Sequence, residues 1–239
     1  MSSLAGSTVV VIGGSSGIGL ETARQARAAG ARLIVTGRDQ GRLDAARDEL
    51  GASAAALDLS DTAGLERFFA GLPAPVDHVV VTGGGPAYGP IATLDFSQAE
   101  AVLRQHLLGS LRIARECAGR VRPGGSLTFF TGTDARRPGP GQVIAAVMSA
   151  ALPAITANAA LELAPVRVNT VAAGFTDTPL TARELGADIE RRRAELRATL
   201  PIGRVVGPAD VAAVAVTLMT STAVTGATWD VDGGQQLLG

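Results

Sequence analysis

Gly13-Gly14-Ser15-Ser16-Gly17-Ile18-Gly19 lies between the β-branched run ending at Ile12 and a helix-forming run that continues to Ala29. A strand, a tight turn and a helix start in that order expose open amides and the positive end of a helix dipole, which attract a phosphate. The glycines of such a turn permit its angles, let the backbone approach a pyrophosphate, or let helix and strand pack closely. With both flanking elements legible, the loop reads as a dinucleotide site rather than an ordinary turn. Gly37-Arg38 closes the next apolar run. A carboxylate there would bind a ribose 2′-hydroxyl and repel a 2′-phosphate, whereas a guanidinium forks onto the phosphate and stacks on adenine. NADP(H) is therefore expected ahead of NAD(H). The competing reading makes Arg38 a surface arginine paired with Asp39.

Few other side chains can move protons or hold a metal. The chain has two histidines, one tyrosine and one cysteine. All 21 basic residues are arginine; lysine is absent. A single cysteine, Cys117, allows neither an internal disulfide nor a cysteine-based metal site, and it reads as an inert core thiol. No metal site is expected.

These groups must be held by an ordered scaffold. At 239 residues the chain is read as one domain, 1–239, with a substantial core. A formal net charge of −1 without a basic block argues against nucleic acid as a partner. Arg191-Arg192-Arg193 lies beside Glu190 and Glu195 and reads as a solvated helix face. No signal-peptide pattern and no apolar run long enough to span a bilayer are found, so a cytoplasmic protein with no membrane partner is expected.

Strands are expected at 32–36, 53–57, 76–82, 125–131, 166–171 and 227–231, after the first one. Helices are expected at 17–29, 39–50, 61–70, 97–119, 142–163, 179–198 and from about 208. Pro153 should kink or split the helix that contains it. Apolar strands alternating with helices specify an α/β fold: a doubly wound, Rossmann-like parallel sheet of about seven strands with helices on both faces. Ligand then sits beyond the carboxyl ends of the strands, and residues 175–200 form the candidate substrate lid.

Over nearly its whole length the chain resembles the short-chain dehydrogenase/reductase family. Gly13-x-x-x-Gly17-x-Gly19 matches the family's glycine pattern, with Ile12 where threonine is usual. Asp58-Leu59 matches the pair that meets the adenine ring. The stretch 168–179 is similar to the sixth-strand motif, with Ala173 in place of the usual proline. Gly203-Arg204, Pro208-x-Asp210-Val211-Ala212 and Val231-Asp232-Gly233-Gly234 resemble the C-terminal signature. The resemblance implies cofactor contacts from Gly13, Ser15, Ser16, Gly17, Ile18, Gly19, Arg38, Asp58, Leu59, Gly83, Gly84, Gly174 and Thr176.

It also exposes departures. The family's chemistry uses a Tyr-x-x-x-Lys pair, a serine and an asparagine. Registered on Leu161-Glu162-Leu163-Ala164-Pro165, those positions hold Ala145, Ser149, Gly132 and, from the neighbourhood of Gln105, His106. With no lysine and only Tyr88, no register restores the pair, which excludes the standard mechanism. Two classes of function follow. One is an oxidoreductase that reduces a carbonyl or activated alkene through a rebuilt acid–base site. In it His106 shuttles protons, Tyr88 reaches a carbonyl oxygen, Thr131 and Thr133 hydrogen-bond that oxygen, and Ser149 binds the nicotinamide ribose. The other is a catalytically silent NADP(H)-binding protein: a redox sensor, or a partner subunit of an active relative.

Each group has a plainer reading as well. His106 would satisfy backbone in the asparagine's place, Tyr88 would be a loop aromatic against a partner subunit, and the threonines would be strand residues. Asp134 with Arg136 and Arg137 reads as a solvated turn rather than an anion clamp. The resemblance further implies a homo-oligomer, a dimer or tetramer, formed through the two long helices and the last strand. The small-molecule substrate is not legible.

Overall fold

The computed structural model describes residues 3–238. In chain order the first elements are β1 (Thr8–Ile12), α1 (Gly17–Ala28), β2 (Arg32–Gly37), α2 (Gln40–Leu50), β3 (Ser53–Ala56), α3 (Thr62–Ala70) and β4 (Val76–Val81). Then come α4 (Phe96–Leu103), α5 (Gly109–Cys117), β5 (Val121–Gly132), α6 (Val143–Glu162) and β6 (Arg167–Ala173). The last are α7 (Pro179–Leu185), α8 (Ile189–Thr199), α9 (Pro208–Thr220) and β7 (Thr228–Val231). The strands form one sheet in the order β3-β2-β1-β4-β5-β6-β7, and every pairing is parallel. Strand order reverses between β1 and β4, which opens a crevice at their carboxyl ends.

The unbroken apolar strands follow from burial on both faces. Val9 and Val11 join a core with Ala23, Leu43 and Met219 from α1, α2 and α9. Val10 and Ile12 point the other way, into a core with Leu65, Ile113 and Leu152 from α3, α5 and α6. Each fully buried side chain of this kind contributes about 1.5–3 kcal/mol of transfer free energy. Cys117 is fully buried in that second core, and burial pushes its thiol pKa up, as an inert core thiol requires. At the opposite end of the sheet from the crevice, the His78 Nδ1 lies 2.8 Å from the Ser126 hydroxyl. Arg167 is buried too, and its guanidinium donates to the carbonyls of Leu218 and Met219 at 2.6 and 2.8 Å, satisfying the last turn of α9.

Four expectations are corrected. The single helix over 97–119 is interrupted: a π-helical turn, Arg104–Leu108, separates α4 from α5. Pro153 does not split α6, which runs unbroken through it. Proline removes only one rung of the ladder, and Leu152 and Thr156, both buried, hold the turns on either side. The arginine-rich stretch divides at Gly186, whose φ of +51° ends α7 before a short 3₁₀ turn and α8. Finally, α6 has 20 residues and a mean hydropathy of 1.7, long and apolar enough to cross a bilayer by length and composition. Here it lies against the sheet with 44% of that window buried, and Leu152, Ala159 and Ala160 enter the core.

Candidate functional site

The phosphate end of the crevice is shaped by absent side chains. Gly13 has φ +86°, and a Cβ there would meet the Gly83 amide nitrogen at 2.8 Å and Thr82 Oγ1 at 2.9 Å. A Cβ at Gly19 would overlap the Gly13 carbonyl oxygen and Thr82 Oγ1. The Thr82 hydroxyl donates to the Ile12 carbonyl at 3.1 Å, so the end of β4 ties down the glycine loop. Helices α2, α3 and α4 are each capped by an aspartate: Asp39, Asp61 and Asp95 accept third-residue amides at 2.9, 2.9 and 3.1 Å. Helix α1 is different, because Ser16 at its N-cap makes no side-chain cap. Its first amides are open to an anion. A cradle free of side chains at an uncapped helix start fits the pyrophosphate of a dinucleotide.

Ser15, Ser16, Gly17, Ile18, Leu59, Gly83 and Gly84 line the same cleft. Arg38 lines its rim. At the end of β2 the reason for glycine is steric: a Cβ on Gly37 would overlap Ser15 Oγ. The Ser15 hydroxyl therefore fills the space where an acidic side chain at position 37 would begin. Asp39 does not pair with Arg38. Its carboxylate caps α2 and lies 3.5 Å from Arg42. Arg38 is exposed and makes no ion pair among the described residues. Asp58 is exposed beside it, and hydrogen bonds from the Ser60 amide and hydroxyl, with the Arg38 charge, lower its pKa.

The other end lies where β5 and β6 finish, with Gly132 paired to Ala173. Thr131 is half-buried and Thr133 buried. His106 sits within the π-helical turn, a feature that recurs at functional sites. Its Nδ1 would lie 3.4 Å from a Cβ on Gly84, so the imidazole closes on the glycine run after β4. Burial lowers the His106 pKa, leaving a neutral ring at pH 7. Tyr88 is half-exposed on the loop between β4 and α4. Partial burial, with the carboxylates of Asp134 and Glu184 nearby, raises its pKa, so its proton is held more tightly than usual.

Two expected contacts are replaced. Ser149 is buried, its hydroxyl accepting the Ala135 amide at 2.8 Å and donating to the Ala146 carbonyl at 3.1 Å. In this position it fastens the turn Asp134–Arg136 to α6. The Thr176 hydroxyl donates to the carbonyl of Gly174 at 3.2 Å, and Gly174 packs against Asp232 and Gln235. The solvated-turn reading of Asp134, Arg136 and Arg137 is also corrected. Arg136 forms a bidentate pair with Asp230 at 2.6 and 2.7 Å, and Arg137 donates to the Gln235 carbonyl at 2.9 Å. Both arginines turn away from Asp134, which is half-buried.

Comparison with known proteins agrees with this geometry. Residues 12–236 match the family profile described as enoyl-(acyl carrier protein) reductase. A short-chain dehydrogenase/reductase of Stachybotrys chlorohalonatus, ATR9, is 31% identical over 98% of each chain. The chain belongs to the short-chain dehydrogenase/reductase family. A solved short-chain dehydrogenase/reductase family protein superposes with a TM-score of 0.88 at 33% identity, covering all of both chains. A small-chain dehydrogenase solved in complex with NADPH superposes at 0.83 with 28% identity, covering 97% of this chain and 99% of that one. Members of this family bind nicotinamide cofactors, and the chain is an oxidoreductase of this type.

Several cleft residues of this family member escape sequence reading. Arg42, in the first turn of α2, lines the rim together with Arg38, which precedes the helix. Gln105, Thr178, Pro179, Leu180 and Arg183 line the opposite wall. The spacing of Arg38 and Arg42 is a signal that could have found the first. The wall from α7 depends on where the chain turns after β6, which no local pattern specifies.

Proposed function

We propose that the chain is an NADP(H)-dependent oxidoreductase that reduces a carbonyl or activated alkene with an acid–base site different from the family's usual one. The observation that carries cofactor choice is the rim at the end of β2. Arg38 and Arg42 stand there together, and Ser15 fills the place of a carboxylate. Both guanidiniums suit a 2′-phosphate, and the NADPH complex of a solved relative supports the same reading. When bound, the cofactor supplies hydride transfer. The protein's residues then orient the dinucleotide, exclude water and deliver the proton.

Calorimetric titration with NADPH and NADH tests this. Wild type should bind NADPH at least 10-fold more tightly. Arg38→Ala should weaken NADPH about 10-fold to 100-fold, the worth of one charge-assisted hydrogen bond, and leave NADH unchanged. Equal affinities for the two cofactors would refute the assignment. The second reading, a silent NADP(H)-binding protein, is favoured by Ser149, whose hydroxyl is committed to backbone where the family keeps a lysine. Tight NADPH binding without reduction of any carbonyl or alkene would select it.

Self-association belongs to the same proposal. Leu108 and Leu111 at α5, Val147 and Leu161 on α6, and Trp229 on β7 are exposed apolar side chains on the elements the resemblance assigns to subunit contacts.

A further inference from the structure

Position 132 is where the family carries its serine, and glycine there leaves a slot at the carboxyl end of β5. The slot is filled. A methyl group on Gly132 would overlap Asp134 Oδ2, so the carboxyl group reaches back into the serine's place from the following turn. We propose that Asp134 is the proton donor of this site, its carboxyl group standing in for the missing tyrosine and serine. The inference rests on the oxidoreductase reading above.

Three observations converge on it. No cation holds the carboxyl group among the described residues: Arg136 is engaged by Asp230 and Arg137 by the Gln235 carbonyl, and the Asp134 carboxyl group interacts with its own backbone amide. It is also held in place. The Ala135 amide is anchored on Ser149 Oγ at 2.8 Å, and the Arg136 amide donates to the Thr133 carbonyl at 3.0 Å, closing the 3₁₀ turn Asp134–Arg136. Thus the residue at the family's lysine position fixes the carboxyl group's support, which is how a proton donor is pre-organised. Finally, burial acts differently on the three candidates. Burial raises the Asp134 pKa, favouring the protonated form, whereas His106 is neutral and Tyr88 holds its proton more tightly.

In the forward direction, the bound dinucleotide would supply hydride to the carbonyl carbon, and the carboxyl proton of Asp134 would pass to the carbonyl oxygen. The C=O π bond breaks, C–H and O–H bonds form, and the dinucleotide is oxidised. The Asp134 carboxylate regains its proton from water. For an activated alkene, hydride adds to the β-carbon and the same proton goes to the resulting enolate.

The test compares wild type, Asp134→Asn and Gly132→Ala. Asparagine keeps the shape and removes the acid; the added methyl leaves Asp134 in the chain but evicts its carboxyl group from the slot. Readouts are NADPH affinity by calorimetry, reduction of 9,10-phenanthrenequinone and 2-cyclohexenone, and ¹³C NMR titration of aspartate carboxyls. The titratable and charged groups around Asp134 are Tyr88 on the facing loop, Glu184 of α7 beyond it, and Arg136 and Arg137 of its own turn. Expected results are NADPH affinity within twofold in all three, and a rate loss of about 10²–10⁴-fold in each variant. A carboxyl titrating above the ordinary aspartate value should vanish in Asp134→Asn and shift downward in Gly132→Ala. Wild-type turnover should fall as pH rises through that value, a limb absent from Asp134→Asn.

Wild-type rates in Asp134→Asn overturn the proposal and leave the oxidoreductase reading standing. Loss of NADPH binding in that variant overturns it too, by making the residue a cofactor ligand. Wild type that binds NADPH yet reduces neither probe overturns it in favour of silent binding. Wild type that binds no NADPH removes both readings together.

Discussion

The two ends of the cleft are built from different materials. At the phosphate end the working parts are backbone amides, and the sequence contributes mainly by withholding side chains at Gly13, Gly19 and Gly37. At the far end the working parts proposed above are side chains, His106, Tyr88 and Asp134, carried by a π-helical turn, a loop and a 3₁₀ turn. Backbone sites tolerate little where, as at Gly13 and Gly19, an added Cβ collides with main chain. Side-chain sites can be rebuilt, since a carboxyl group from residue 134 can enter the space left at 132. This difference would let a chain keep the family's cofactor cradle while its proton-handling site is rebuilt, as proposed above.

The largest effect should come from disturbing the backbone end. Gly19→Ala places a methyl on the Gly13 carbonyl and Thr82 hydroxyl, neither of which can retreat without moving β1 or β4. NADPH binding should fall beyond calorimetric detection, with stability lowered by about 1–3 kcal/mol of overpacking. Tight binding by this variant would show that the loop is more pliable than its contacts imply. At the side-chain end the contrast is sharper in stability than in binding. Because the Asp134 pKa is raised in the folded state, wild type loses stability as pH rises from the ordinary aspartate range through the folded value. Asp134→Asn removes that loss, so its melting temperature should exceed wild type at pH 7.5 and match it near pH 3. A melting temperature below wild type at pH 7.5 would mean that the carboxylate is structurally required.

A control lies at the opposite end of the sheet. The His78 pKa is lowered by burial, and by the charges of Arg167 and Arg122, to about 4, against an ordinary value of 6.5. Its contribution is complete above the ordinary value and is lost as pH falls through the folded one. Urea unfolding should therefore show about 3 kcal/mol of lost stability between pH 7 and 4, absent in His78→Gln after normalising to that variant at pH 7. The smallest effect is expected at the surface. Leu111→Glu should shift the protein from dimer or tetramer toward monomer in light scattering, with melting of the monomer little changed; a wild-type monomer at micromolar concentration would remove that expectation.

The fold was legible because it rests on local patterns: apolar runs of strand length, glycine stops such as Gly30, and capping aspartates such as Asp39 and Asp61. The phosphate loop was legible for the same reason, since strand, turn and helix follow one another directly. The far end was not. Asp134 looked like part of a charged turn because Asp230 and Gln235, which draw Arg136 and Arg137 away, lie almost a hundred residues later. Ser149 offered a hydroxyl to any partner, and only the packing of the turn against α6 commits it to the Ala135 amide. The π-helical turn around His106 was hidden because none of Arg104–Leu108 is a proline or glycine that would mark a break.

The contact between Ser15 and Gly37 makes any change of dinucleotide preference epistatic. An acidic side chain introduced first at 37 collides with Ser15 and should abolish binding of both cofactors. Ser15→Gly taken first clears the space while the two rim arginines remain, so NADPH binding should persist and the acidic substitution should then become accessible. Of the two mutational orders, only one passes through a binding-competent protein, and a laboratory lineage selected on NADH should fix the change at 15 before the change at 37.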